Sequence, residues 1–197
     1  MRSLFLTTCL LAFASPAAFA ADDADTASKK RIGVTAGFTV GDAGPAPTAS
    51  ISYLFNDHWA AEIWGTADKL QQNMRIKSGP RVGTYAHQPV ALSVQYHFGN
   101  ADAVFRPFLG VGGFKSHISD VQVTAPAAPA ATNIRGRSGA GYIVTAGLDM
   151  NINETWFARL DARLLYASDM RLDTAAAPDQ AMKGSMPVAG FSVGARF

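Results

Sequence analysis

Cysteine is almost missing from this 197-residue chain, which has one, at position 9. With one thiol, no intrachain disulfide can hold the fold and no multi-thiolate metal site can form. Charge is scarce as well. Asp, Glu, Lys and Arg make up 16% of the residues, against roughly 25% in ordinary soluble domains. The balance of 17 basic and 15 acidic side chains leaves a net charge of +2 and no dense basic patch, so a nucleic-acid surface is not expected. No run of about 18 apolar residues follows the N-terminal segment, so no transmembrane helix is expected. Nucleotide-binding motifs are absent. Yet 48% of residues are hydrophobic, too many for a disordered chain.

The first twenty residues read as a secretory signal peptide. Arg2 supplies the positive start, Leu4 to Phe13 the short apolar stretch, and Ala18-Phe19-Ala20 the small-residue cleavage site. Residues 21–30, rich in Asp, Ala and Lys, are expected to be a loose leader, and cleavage would remove Cys9. An exported chain poor in charge and without a spanning helix leaves one membrane architecture, the β-barrel, whose apolar residues come at every second position.

That alternation is present. Val90, Leu92, Val94, Tyr96 and Phe98 fall opposite Ala91, Ser93, Gln95 and His97. Residues 140–152, 155–166 and 187–197 repeat the period of two, and weaker versions lie at 31–40, 47–55, 58–66 and 105–114. The count is eight strands of roughly membrane-spanning length. Connections alternate in length. Asn56-Asp57, 99–104 and Asn153-Glu154 are tight, whereas 67–88, 115–139 and 167–186 are long, as in barrels with short periplasmic turns and long outer loops. Aromatics such as Tyr53, Trp59, Tyr96, Tyr142, Trp156 and Tyr166 sit near strand ends on the apolar face, where interfacial girdles belong. An all-β, eight-stranded antiparallel transmembrane barrel over 31–197 is expected, in the bacterial outer membrane, with both ends of the mature chain on the periplasmic side.

Several segments also carry a family likeness. They are Pro47 to Tyr53, Asp57-His58-Trp59-Ala60-Ala61-Glu62, Phe105-Arg106-Pro107-Phe108-Leu109-Gly110-Val111-Gly112, Ala146-Gly147-Leu148-Asp149, Asn153 to Phe157, and Asp161 to Tyr166. In order and spacing the chain resembles the OmpW/AlkL family of outer-membrane proteins. The resemblance implies passage of small hydrophobic molecules through an apolar lumen that opens sideways into the bilayer. Two departures lie near the outer mouth: the insert Ala125-Pro126-Ala127-Ala128-Pro129-Ala130-Ala131, and Val188 where a larger aromatic is expected.

Barrel geometry sorts the remaining side chains. Glu62, Arg106, Asp149, Arg159, Asp161, Arg163 and Arg196 all fall on the inner face. A mid-bilayer Lys or Arg facing lipid would cost about 2–4 kcal/mol, so an ionic network filling the lower lumen is expected. Above it the inner face carries Trp64, Ile143, Leu165 and Val188 beside Gly110 and Gly112, with Phe108 lower on the same wall. These are the candidate ligand-lining residues, with the glycines expected to leave room. Pro107 is a candidate weak point for lateral exit, because proline cannot donate to the ladder. Expected partners are outer-membrane lipids, small hydrophobic molecules, and the barrel-assembly machinery through Phe197. The alternative is a closed structural or receptor barrel that contacts phage, bacteriocin or host through its outer loops. No catalysis is expected. His117-Ile118-Ser119 has the His-x-Ser spacing of lipid A deacylating barrels but sits where a strand runs into a long loop. His58, His87 and His97 lack metal-ligand spacing, and no cofactor is expected.

Overall fold

A computed structural model describes residues 30–75, 81–123, 135–136, 139–167, 171–174, 177–181 and 185–197. The signal peptide, the leader to residue 29 and the Ala/Pro insert lie outside the described residues. No helix among the described residues is long and apolar enough to cross a membrane.

The elements are all strands. In chain order they are β1 (Ile32–Gly41), β2 (Gly44–Leu54), β3 (Trp59–Thr66), β4 (Leu70–Arg75), β5 (Arg81–His97), β6 (Phe105–Val123), β7 (Arg135–Gly136), β8 (Gly139–Asn151), β9 (Trp156–Ala167), β10 (Arg171–Thr174), β11 (Ala177–Ala181) and β12 (Ser185–Arg196). Eight of them form the wall. The hydrogen-bonded order β3-β2-β1-β12-β9-β8-β6-β5 closes on itself through pairing of β3 with β5, and every pairing is antiparallel. Closure leaves no free sheet edge, the condition for a β-structure to stand in hydrocarbon. At the seam between the chain ends, the Phe197 N–H donates to the Ile32 carbonyl at 2.8 Å and the Ile32 N–H to that of Phe197 at 3.1 Å.

Two regions read as long loops contain strand. β4 and the first half of β5 occupy 70–87, and β6 runs on to Val123. β4 pairs with the upper part of β5, Leu70 opposite His87 and Gln72 opposite Tyr85, continuing the line of β3 beyond the membrane band. The third long connection, 167–186, carries β10 and β11, which join β7 in a separate three-stranded sheet.

The short turns follow from their sequences. In Asn56-Asp57-His58-Trp59 the Asn56 Oδ1 accepts from the His58 and Trp59 N–H groups at 2.9 and 2.8 Å. Asn153-Glu154-Thr155-Trp156 repeats the device at the same two distances. Such side-chain capping fixes a turn in two residues. Gly99 opens the third with a φ of 79°, where a side chain would be strained.

Alternation maps onto the two faces of the wall. Phe38, Ile51, Ile63, Leu92, Leu109, Val144, Leu160 and Phe191 are exposed outward. A water-soluble protein does not bear a continuous apolar band of this extent. Rings gather at its edges: Trp59 and Phe98 each lie 5.0 Å from Tyr96 at the short-turn end, and Tyr142 stacks on Tyr166 at 4.7 Å at the other.

Candidate functional site

The lower lumen is an ion-paired floor. β9 presents Arg159, Asp161 and Arg163 at alternate positions, so all three lean inward. Arg159 makes a two-pronged contact with Asp149 on β8, Nε to Oδ1 at 2.6 Å and Nη2 to Oδ2 at 3.0 Å. Its Nη1 reaches Glu62 on β3 at 2.7 Å. Arg163 holds the other Glu62 oxygen at 2.9 Å and Asp161 at 2.7 Å. Arg196 on β12 donates to Asn151 Oδ1 at 2.6 Å and approaches Asp149 at 3.3 Å. Gln95 supplies a further hydrogen bond to Glu62 at 2.8 Å. Glu62, Asp149, Arg159 and Arg163 are all at most 3% exposed. Charges so buried are costly unless they are paired and hydrogen-bonded.

Aromatic rings lie against the guanidiniums. Arg159 lies 4.5 Å from the Phe108 centroid, Arg196 4.2 Å from that of Phe157, and Arg163 4.5 Å from that of Trp64. Two glycines make the seats. A Cβ on Gly147 would stand 2.4 Å from Phe108 Cζ, and one on Gly194 2.4 Å from Phe157 Cζ.

Arg106 stands apart. It was expected within reach of Glu62, Asp149 or Asp161. Its strand register does set it opposite Asp149, and it is 1% exposed. Among the described residues, however, it takes part in no ion pair, and its Nε and Nη2 are buried without a hydrogen-bond partner. Arg159 and Arg196 already occupy both Asp149 oxygens.

Above the floor, Trp64, Ile143, Leu165 and Val188 pack with Leu70, Tyr85, Phe114, Ile118 and Met186 in one buried apolar cluster. Phe108 is not part of it. That ring stacks on His97 at 5.1 Å and belongs to the floor. Gly110 and Gly112 do not leave the room expected of them. A Cβ on Gly110 would meet Gln95 Cγ at 3.0 Å, and one on Gly112 would lie 2.0 Å from the Leu92 carbonyl oxygen. Both glycines serve close approach of β6 to β5.

One contact in the upper lumen was invisible to sequence reading. His87 Nδ1 lies 2.9 Å from Ser116 Oγ, both groups are buried, and His87 Nε2 has no partner. The two residues are far apart in the chain and meet only through the β5–β6 register. The pair weighed from sequence, His117 and Ser119, lies on the opposite face of β6, with His117 exposed. No group of three metal-binding side chains occurs among the described residues.

A closed antiparallel barrel with an apolar lipid-facing belt, short turns at one end and an ion-paired lumen is an outer-membrane architecture. The model of the OmpW family matches residues 10–182. The chain belongs to the OmpW family. Outer membrane protein W of Vibrio cholerae serotype O1 is 26% identical over 125 residues, 60% of this chain and 56% of that protein. The match thus spans little more than half the length of that relative. Among solved structures, OprG of Pseudomonas aeruginosa superposes with a TM-score of 0.69 at 15% identity, over 86% of this chain and 97% of that one. AlkL in lipid bilayers gives 0.55 at 16% identity, over 90% and 95%. At these identities the structures speak for the fold. The OmpW-family barrel resides in the outer membrane, in contact with its lipids.

Proposed function

We propose that the barrel admits small hydrophobic molecules passively from the cell exterior and releases them sideways into the bilayer. The observation that carries this reading is the two-part lumen: a buried apolar cluster at the outer end, above a floor cross-linked by ion pairs. An apolar solute gains from the first and is refused by the second, because passage through the floor would strand buried charges. Binding pockets for such solutes are apolar with a few polar groups; the cluster supplies the apolar part, and Gln72, His87 and Ser116 are buried polar groups beside it.

The seam between β3 and β4 supplies the exit. Pairing to β5 stops at Gly65 opposite Val90 and resumes at Leu70 opposite His87. In the gap Pro89 has no N–H to offer, and the Gln88 side chain closes it by donating to the Thr66 and Ala67 carbonyls at 3.0 and 3.4 Å. The seam borders the apolar cluster at Trp64 and Leu70. Pro107, the position considered from sequence, sits in an unbroken register opposite Leu148, close to the short-turn end, so the exit is assigned to the β3–β4 seam instead.

The receptor or structural barrel is the second reading. It is favoured by the tightness of the upper cluster, in which Trp64, Ile143 and Leu165 are at most 3% exposed. Cells with and without the protein, compared for uptake of a hydrocarbon and of a sugar of similar size, separate the two. Faster hydrocarbon uptake alone supports the proposal. Faster sugar uptake alone indicates a porin, and no change in either indicates the closed barrel.

A further inference from the structure

The lumen holds four arginines, Arg106, Arg159, Arg163 and Arg196, against three carboxylates, Glu62, Asp149 and Asp161. The ion pairs use every carboxylate and three of the arginines. The surplus positive charge is therefore localised, and it is Arg106, buried with Nε and Nη2 unpartnered. A buried guanidinium without an acceptor is costly. It is also the side chain best shaped to take both oxygens of a carboxylate.

Arg106 does not face the hydrophobic end. It lines a cavity of about 490 Å³ at the short-turn mouth, which is the periplasmic end in the orientation expected for such barrels. That volume suits a small molecule rather than a folded partner. Three more cations share the lining: Lys30, Arg31 and Arg196. Asn56 and Asn153 also border it, and their Oδ1 atoms are committed to the two turns. Asp57, Asp102 and Glu154 complete the charged lining. Arg196 is already paired with Asp149, outside the lining, so the buried cation of the mouth left to be balanced is Arg106, which one carboxylate would satisfy.

We propose that this mouth is a binding site for a small monocarboxylate arriving from the periplasm, with Arg106 as its principal anchor. The site is separate from the apolar outer lumen and does not depend on the transport reading.

The test uses the mature protein, labelled with 15N-arginine and refolded in uncharged micelles. The arginine Nε–H signals are followed during titration with sodium acetate, sodium phosphate or sodium chloride at matched ionic strength. One signal, missing from the Arg106→Lys variant, is expected to move saturably with acetate and not with chloride. Acetate binding is expected to weaken about tenfold in Arg106→Lys, through loss of the two-pronged contact. Asp102→Asn, in an exposed turn, is expected to tighten binding about twofold by removing a like charge, and this arm stands even if Arg106→Lys does not fold. Equal shifts with chloride, no saturation, or unchanged affinity in Asp102→Asn would overturn the site. Phosphate binding as tight as acetate would overturn the monocarboxylate assignment.

Discussion

Replacing Arg159 with leucine removes the cation that ties three strands together. Its guanidinium makes two contacts to Asp149 and one to Glu62, all between 2.6 and 3.0 Å. Without it Asp149 keeps only Arg196 at 3.3 Å and His97 at 3.9 Å, while Glu62 keeps Arg163 and Gln95. Asp149 therefore suffers most, as a nearly fully buried carboxylate left with long contacts. Breaking a buried pair on one side costs about 3–5 kcal/mol. Loss of the guanidinium packed on Phe108 adds to it. Equilibrium urea unfolding of the refolded barrel in lipid vesicles measures the effect, with Glu154→Gln, an exposed turn residue, as the control expected to stay within about 0.5 kcal/mol of wild type. The double change Arg159→Leu with Asp149→Leu is expected to recover much of the loss, since removing both charges abolishes the uncompensated one. The same floor makes an opposite prediction for Arg106, whose charge has no ion pair: Arg106→Met is expected to cost less than about 1 kcal/mol or to stabilise. Equal destabilisation by Arg159→Leu and Arg106→Met, or no difference between Arg159→Leu and Glu154→Gln, would refute the ion-paired floor.

Other expectations can be checked separately. Gly147→Ala and Gly194→Ala push a methyl into Phe108 and Phe157, and each is expected to lower unfolding stability by about 1–3 kcal/mol. Gln88→Ala opens the seam between β3 and β4 and is expected to speed hydrocarbon uptake with little effect on the unfolding midpoint. Leu165→Gln sets an amide in the apolar cluster and is expected to slow that uptake in cells carrying equal amounts of barrel. Phe197→Ala keeps the backbone bonds to Ile32 but removes an outward-facing ring, and is expected to slow assembly into membranes, read as the time course of the folded band on unheated gels.

The eight-stranded wall was legible because lipid enforces a strict difference between faces. From Val90 to Phe98 each outward residue is apolar, and each inward one is small, polar or ring-shaped. Where the wall rises beyond the membrane belt that contrast disappears. Leu70, Gln72, Tyr85 and His87 still face inward, but the opposite face meets water and carries Gln71, Thr84 and Gln88, so both faces read as loop. The surplus of one arginine in the lumen could be counted from the sequence. Which arginine it is could not, because that depends on Arg159 reaching Asp149 and Glu62 from two neighbouring directions. The glycines at 110 and 112 misled for a related reason. A missing side chain marks space in a sequence, whereas in the barrel the space belongs to Gln95 and to the β5 backbone. His87 and Ser116 illustrate a contact that only register creates.

The central claim, passive hydrophobic uptake above a sealed floor, is tested most directly by hydrocarbon flux into cells that differ only in this barrel. Wild-type protein is expected to raise the initial rate of alkane uptake, with no rise for a sugar of similar size and no dependence on the proton gradient. An alkane rate identical with and without the barrel, at equal surface abundance, would contradict the account.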